Sequence, residues 1–565
     1  MKNRHQSLIL SFLFLLAGCY KDVDNSLPQE VILEIPEVIV TTTLSGHLSD
    51  LEGGVMDDYS LLINGIEYEV AGSYFSIKIE GLNKRGQTVF AYKNDKIIAL
   101  GTFLPIENDI NRIELTVFPE WESQVINPRQ NTDIAVGMAV RLDISDTYFK
   151  NDNGGDYEGE LHVESGLFSD LNRPTVLGFD AYGVLNTLEV KGGFYVGIKD
   201  KEEAPLKVDE KHRIKLVIDN IPSESNSLYR FDEEEKAWIE IAKVEKGRIE
   251  VPIQKYGYFV LVHAERGIFL EGRCSRENNP IAYQRYNWDD GKMHGEGIST
   301  TGGRWLTVAP AQSNVVMRTA NPCGNQLELK TITTKKEHIE DVVLALDEAN
   351  GIYQFLKVSV LDCEGNPSSK PSIYLKTSDD NSDIYTFPNG EINVWMAVCP
   401  TFRLTAYDID SGMEGPLLEW STSIDDDLSY LTSCGSNANG YTVLKIRGEQ
   451  KLFPAFELEE TGERSILKAT DNTVRLSIKN AGVGTFEADK INIFINDASF
   501  GDKGYYIDCE NAAGGCGIED CKITHYSVDA DGWIRVSFSG TLWMRTIEPL
   551  EAGYFAVEGV ILLKG

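Results

Sequence analysis

The sequence predicts an all-β protein, a string of small Ig-like β-sandwich domains behind an export leader. Three observations predict this. Apolar and polar residues alternate with a period of two in LLINGIEYEV, RIELTVF, HRIKLVIDN and TVRLSIKN, the pattern of half-buried strands. Turn chemistry punctuates those runs, with Asn64-Gly65 and Asp531-Gly532 as hairpin signals. Helical spacing is scarce: HIEDVVLALDEA over 338–349 has it, and reads equally as a strand.

At 565 residues the chain exceeds a single core, so several domains are expected. Hydrophobic residues are 42% and charged residues 25%, a globular rather than disordered balance. The net charge is −34. Such a field repels phosphate backbones and argues against a nucleic-acid partner.

The elements follow in order. Lys2 and Arg4 precede the apolar run Leu8–Leu16, and Ala17 and Gly18 are small. That is the order of a secretory signal over 1–18, too short to span a bilayer as a permanent helix. The segment LLAGC ending at Cys19 is similar to the lipobox of bacterial lipoproteins. That resemblance implies cleavage before Cys19, lipid on its sulfur and amino group, and attachment to a membrane; the plainer alternative is a cleaved signal with a chance cysteine. Two or more acyl chains anchor stably where one does not. The following Tyr20-Lys21-Asp22-Val23-Asp24 resembles the export signal of surface lipoproteins of Bacteroidota, which implies an outer-membrane, surface-exposed location; an acidic tract also reads as a solvated tether. Residues 19–40, with Pro28 and Pro36, form that tether.

Residues 41–119 read as a first sandwich and 120–266 as a second. Phe231-Asp232-Glu233-Glu234-Glu235-Lys236-Ala237-Trp238, with Tyr256-Gly257-Tyr258-Phe259, resembles a sandwich module of extracellular bacterial proteins that precedes a transthyretin-like domain. Over 267–345, Gly272, Asn279-Pro280, Thr300, Gly303, Trp305 and Pro310 are similar to the pattern of carboxypeptidase regulatory-like domains. Over 352–445, Gly365-Asn366-Pro367, Asn389-Gly390, Trp395 and Pro400 repeat it, and the first sandwich reads as a divergent copy. Residues 450–565 complete the chain as a C-terminal sandwich.

Besides Cys19, the cysteines are Cys274, Cys323, Cys363, Cys399, Cys434, Cys509, Cys516 and Cys521. An even number in an exported chain suggests disulfides. Cys274–Cys323 and Cys363–Cys399 are the first pairings, with Cys363–Cys434 as the alternative suggested by the repeat. Cys509, Cys516 and Cys521 with His525 also have the composition of a zinc site, against which stands the oxidising compartment. No cofactor is expected beyond possible structural calcium, for which Asp152–Asp156, Asp408/Asp410, Asp425–Asp427 and Asp529/Asp531 offer clustered carboxylates.

Tyr283, Tyr286, Trp288 and Asp289, with Asp290, form an aromatic and acidic cluster that suits a sugar or a protein loop; on a strand, such alternating rings divide between core and surface. Gly-x-Ser-x-Gly and His-Glu-x-x-His do not occur, so no catalytic residue is assigned and no enzyme is expected. The reading is a non-catalytic surface lipoprotein, an adhesin or scaffold for a protein or glycan. The alternatives are a fimbrial or secretion-machinery component and a glycan-degradation accessory.

Overall fold

The structure, a computed structural model, describes residues 39–564, less internal stretches of which 169–175, 321–325, 422–429, 434–439, 480–485, 496–504, 507–521 and 547–551 are the longer ones. Among the described residues every regular element is a strand. The stretch with helical spacing is a strand too, Ile339–Ala345.

Unit one runs β1 (Ile39–Ser49), β2 (Tyr59–Ile63), β3 (Ile66–Val70), β4 (Tyr74–Asn83), β5 (Gln87–Lys93), β6 (Lys96–Phe103) and β7 (Ile110–Thr116). Its sheets are ordered β4-β1-β7 and β3-β2-β5-β6. Alternate residues turn inward, as Tyr59, Leu61 and Ile63 do on β2, and the two faces close over Leu44, Leu48, Phe75 and Val89. Asn64 and Gly65 both have positive φ in the β2–β3 hairpin, as a two-residue Asn-Gly turn requires.

Unit two holds β8 (Glu122–Ile126), β9 (Asp133–Ala135), β10 (Val140–Asp143), β11 (Phe149–Lys150), β12 (Asp156–Tyr157), β13 (Leu161–Phe168), β14 (Val176–Phe179) and β15 (Leu185–Lys199). It continues through β16 (Lys207–Val208), β17 (Ile214–Asp219), β18 (Ser227–Asp232), β19 (Ala237–Lys243), β20 (Arg248–Ile253) and the long β21 (Gly257–Arg276). The FDEEEKAW segment is the expected strand, charged turn and strand, with Phe231 paired to Trp238 across β18 and β19.

Unit three adds β22 (Asn279–Ala282), β23 (Arg285–Asp289), β24 (His294–Ile298), β25 (Arg304–Pro310), β26 (Asn314–Ala320), β27 (Gln326–Thr333) and β28 (Ile339–Ala345). Unit four has β29 (Ile352–Leu361), β30 (Pro371–Thr377), β31 (Ser382–Thr386), β32 (Glu391–Val398), β33 (Thr401–Asp408), β34 (Met413–Glu414), β35 (Leu418–Ser421) and β36 (Tyr430–Thr432). Units one, three and four share one plan. The first strand lies between an antiparallel neighbour and the last strand, which runs parallel to it. The second sheets correspond as well: β3-β2-β5-β6, β24-β23-β26-β27 and β31-β30-β33-β34.

The units follow one another in sequence, yet their sheets and cores run together. The first half of β21 pairs with β15 and β18 of unit two, and its second half pairs with β25 and β28 of unit three. The passage between these units, near Arg266–Gly267, therefore falls inside an unbroken strand. Unit three joins unit four where Ile281 and Ala282 of β22 pair with Trp395 and Met396 of β32. Val443, Val560 and Leu562 of the last unit share a core with unit four. That last unit's sheet includes Gly440–Ile446, Trp533–Thr546 and Ala552–Lys564.

Unit one is joined differently. Its Phe90 and Leu100 enter a core with Phe231, Trp238, Tyr258 and Val260 of unit two. Its polar loops reach unit three. Asp109 accepts from Thr300 Oγ1 at 2.6 Å, Thr301 Oγ1 at 2.5 Å and Gly302 N at 3.2 Å. Lys84 and Arg304 both pair with Glu271, at 2.8 and 3.0 Å.

Candidate functional site

The aromatic cluster singled out in the sequence is core rather than surface. Tyr286 and Trp288 stand two apart on β23 and so share a face, and that face turns inward: they are 3% and 0% exposed. They pack with Met293, Trp305, Val315 and Met317, and Trp288 Nε1 donates to Thr307 Oγ1 at 3.3 Å. Tyr283 is also buried, has φ 51°, and donates its hydroxyl to the Thr386 carbonyl of unit four. A bulky residue with positive φ is an outlier held by its surroundings; here the surroundings are Tyr385 and Phe387, with ring centroids at 5.0 and 5.8 Å. All three rings are buried, which corrects the expected exposed binding cluster; Tyr286 alone borders the cleft described below. Asp289 is half-buried, accepts from Gly291 N at 2.6 Å and pairs with Arg318 at 3.3 Å. Asp290 accepts from Lys292 N, Met293 N and Ser313 Oγ, which fits a turn.

The expected Cys274–Cys323 bridge is likewise corrected at its first member. Cys274 is a free thiol, wholly buried in the core of unit three, and burial pushes its pKa up. Cys399 is disulfide-bonded, to a partner outside the described residues. Cys19, Cys323, Cys363, Cys434, Cys509, Cys516 and Cys521 lie outside them too, as do the leader, Asp152, Asp425–Asp427 and Asp529/Asp531. Of the calcium candidates that are described, Asp156 pairs with Lys150 at 2.6 Å, Asp410 pairs with Lys370 at 2.7 Å and Asp408 accepts from Asp410 N. Among the described residues no three of His, Cys, Asp and Glu converge as a metal site.

The site that the structure assembles is a cleft of about 560 Å³ where units one, two and three meet. One wall is the end of β6 and β7, with Leu104, Arg112, Ile113, Glu114 and Phe118. Phe168 and Leu177 of unit two line it as well. The facing wall comes from β23, β24 and β25, with Arg285, Asn287, Glu296, Ile298 and Thr307. Its volume lies in the range of small-ligand sites, and junctions between domains are where such sites favour forming.

Charge is organised along one edge. Glu114 accepts from Arg112 at 2.9 Å and from Arg285 of unit three at 3.0 Å. The Arg112 side chain is 2% exposed, and its guanidinium carbon sits 5.0 Å from the Tyr385 ring centroid. Guanidinium groups stack well on aromatic faces and keep their charge when buried. Arg285 and Glu114 remain partly open to solvent. The cleft thus combines charged donors and acceptors from two units with the apolar rings of Phe118 and Phe168. That suits a molecule with a hydrogen-bonding edge and an apolar face.

The described chain is an all-β protein of tandem sandwiches whose candidate site lies between units. No protein-family model matches it, and no curated protein does. Among solved structures, the TIE protein of Bacillus anthracis is similar over 80% of this chain and 71% of its own, at 7% identity and a TM-score of 0.12. BcpA, the major pilin subunit of Bacillus cereus, is similar over 54% and 99%, at 10% identity and 0.12. A Ca2+-stabilized adhesin of an Antarctic bacterium is similar over 70% and 100%, at 11% identity and 0.09. Scores this low mark no common arrangement of the units.

Proposed function

We propose that this protein is a non-catalytic, lipid-anchored binding scaffold at the cell surface, attached through Cys19 and holding a glycan or protein segment in the cleft between its first three units. The observation that carries the reading is the cleft itself, walled by strands of unit one and unit three and edged by the Arg112–Glu114–Arg285 group. A site walled by β-strands has its side chains held in place by the sheets, so a ligand does not have to order each wall on binding. The basic start, short apolar run and LLAGC segment support attachment and export.

Two measurements test the two parts separately. Membrane fractionation with a clickable fatty acid is expected to label the wild type and not C19S; equal labelling of both removes the anchor. A glycan array and a peptide library, read with the wild type and with R285A, are expected to show a ligand whose binding falls on substitution. A ligand that binds both equally places the site elsewhere.

A further inference from the structure

Units one, three and four are built so that their terminal strands lie side by side and parallel. In unit one, Thr43–Ser49 pair with Ile110–Thr116 without a register shift. Asp109 O and Val117 N extend that ladder by one bond at each end, to Thr43 N and Ser49 O. In unit three, Leu270–Ser275 run beside Ile339–Ala345, and in unit four Ser359–Leu361 beside Tyr430–Thr432. In a parallel pair the chain enters at one end of the ladder and leaves at the other. Tension between the ends of the unit is therefore directed along the strands and loads all the ladder bonds together. An antiparallel terminal pair would instead be opened one bond at a time.

Two glycines sit in equivalent places in these ladders. A Cβ on Gly46 would lie 1.9 Å from the carbonyl oxygen of Ile113, its partner on β7. A Cβ on Gly272 would lie 2.0 Å from the carbonyl oxygen of Val342, its partner on β28. Both contacts are with backbone, so no side-chain rotation relieves them. The absent side chains let first and last strands close to bonding distance. The ladder in unit one is also sheltered from competing water, with Leu44, Ser45, Leu48, Ile113 and Leu115 all buried.

We infer that the parallel first–last strand pairs of units one, three and four are shear clamps, so that each of these units carries tension between its own ends without unfolding. The role goes beyond ligand binding and does not depend on what the cleft holds. Its strength is graded by paired length, from unit one through unit three to unit four.

The test is single-molecule force spectroscopy on the chain from residue 20 to 565, held at its two ends. Unfolding of 39–116 releases about 25 nm of chain at roughly 3.3–3.6 Å per residue. A second attachment geometry, the N-terminus and residue 107, pulls the same ladder from one end. Forced unfolding follows the barrier and not the equilibrium, so this second geometry is expected to lower the rupture force of unit one to roughly half or less. Equal forces in the two geometries overturn the clamp. G46A is then compared with V89A, whose side chain is buried on β5 in the other sheet. G46A is expected to lower the end-to-end force more than V89A at matched loss of equilibrium stability. Forces that simply track stability in both variants overturn it as well. If G46A does not fold, the two attachment geometries on the unsubstituted ladder decide the question.

Discussion

Unit three is joined to its neighbours in two different ways. Toward unit two the joint is backbone: Gly257–Val262 and Gly267–Ser275 belong to one strand, laddered on each side of the passage. Toward unit one the joint is made of side chains: Asp109 on Thr300 and Thr301, and Lys84 with Arg304 on Glu271. The first kind fixes orientation by hydrogen bonds shielded in a sheet, and no change of ionic strength or single surface charge undoes it. The second rests on polar contacts at partly exposed positions, each worth little and screened by salt. The cleft lies between units one and three, so its two walls are held together by the second kind of joint.

The largest effect is expected where the backbone joint is packed. Phe259 is fully buried and stacks on Phe194 at 4.9 Å. F259A should cost about 3–5 kcal/mol, and a urea titration followed by near-ultraviolet circular dichroism should show units two and three unfolding together. Separate transitions would mean that the shared strand does not couple them.

A smaller effect is expected at the polar joint. D109A removes the acceptor for two hydroxyls and one amide, of which only the Thr300 hydroxyl is on a buried residue, at about 1 kcal/mol. Limited proteolysis should then cut between units one and two faster, while the transition of units two and three stays in place. Between units three and four, Y283F deletes the hydroxyl bond to Thr386, and a loss of about 1 kcal/mol is expected. A loss near zero would leave the ring packing alone as the pin.

The smallest effect concerns acid. Burial works against the Glu271 carboxylate, but the hydrogen bond and charge of Lys84, and then those of Arg304, outweigh it and hold the carboxyl below its ordinary 4.5. A carboxyl depressed on folding contributes stability above its unfolded pKa and loses it as pH falls through its folded one. Docking of unit one is therefore expected to hold at neutral pH and to weaken below about pH 4.5, with E271Q removing that dependence. Small-angle scattering against pH would read the change, and a flat profile in the wild type would remove Glu271 from the joint.

The fold was legible in the sequence because strand periodicity and turn chemistry are local. LLINGIEYEV announces a hairpin from its own ten residues. The signals that recur between units three and four, Asn279-Pro280 with Asn366-Pro367, Trp305 with Trp395 and Pro310 with Pro400, are short and local too. The site was not legible, because its edge joins Glu114 to Arg285 across 171 positions, and no local pattern encodes that meeting. The aromatic cluster shows the same limit from the other side. Period two places Tyr286 and Trp288 on one face, but which face the rest of the unit covers is decided by Trp305 and Met317. The thiol of Cys274 was read as a bridge because export favours disulfides, whereas its position on β21 sets it in the core.

The unbroken strand Gly257–Arg276 bears on how this architecture can be inherited. A cut at residue 266 severs no loop. Each half of the ribbon keeps its lateral partners, β15 and β18 on one side of the cut and β25 and β28 on the other, but the covalent rod that sets the angle between them is gone. Units two and three are therefore expected to be duplicated, swapped or expressed as one block.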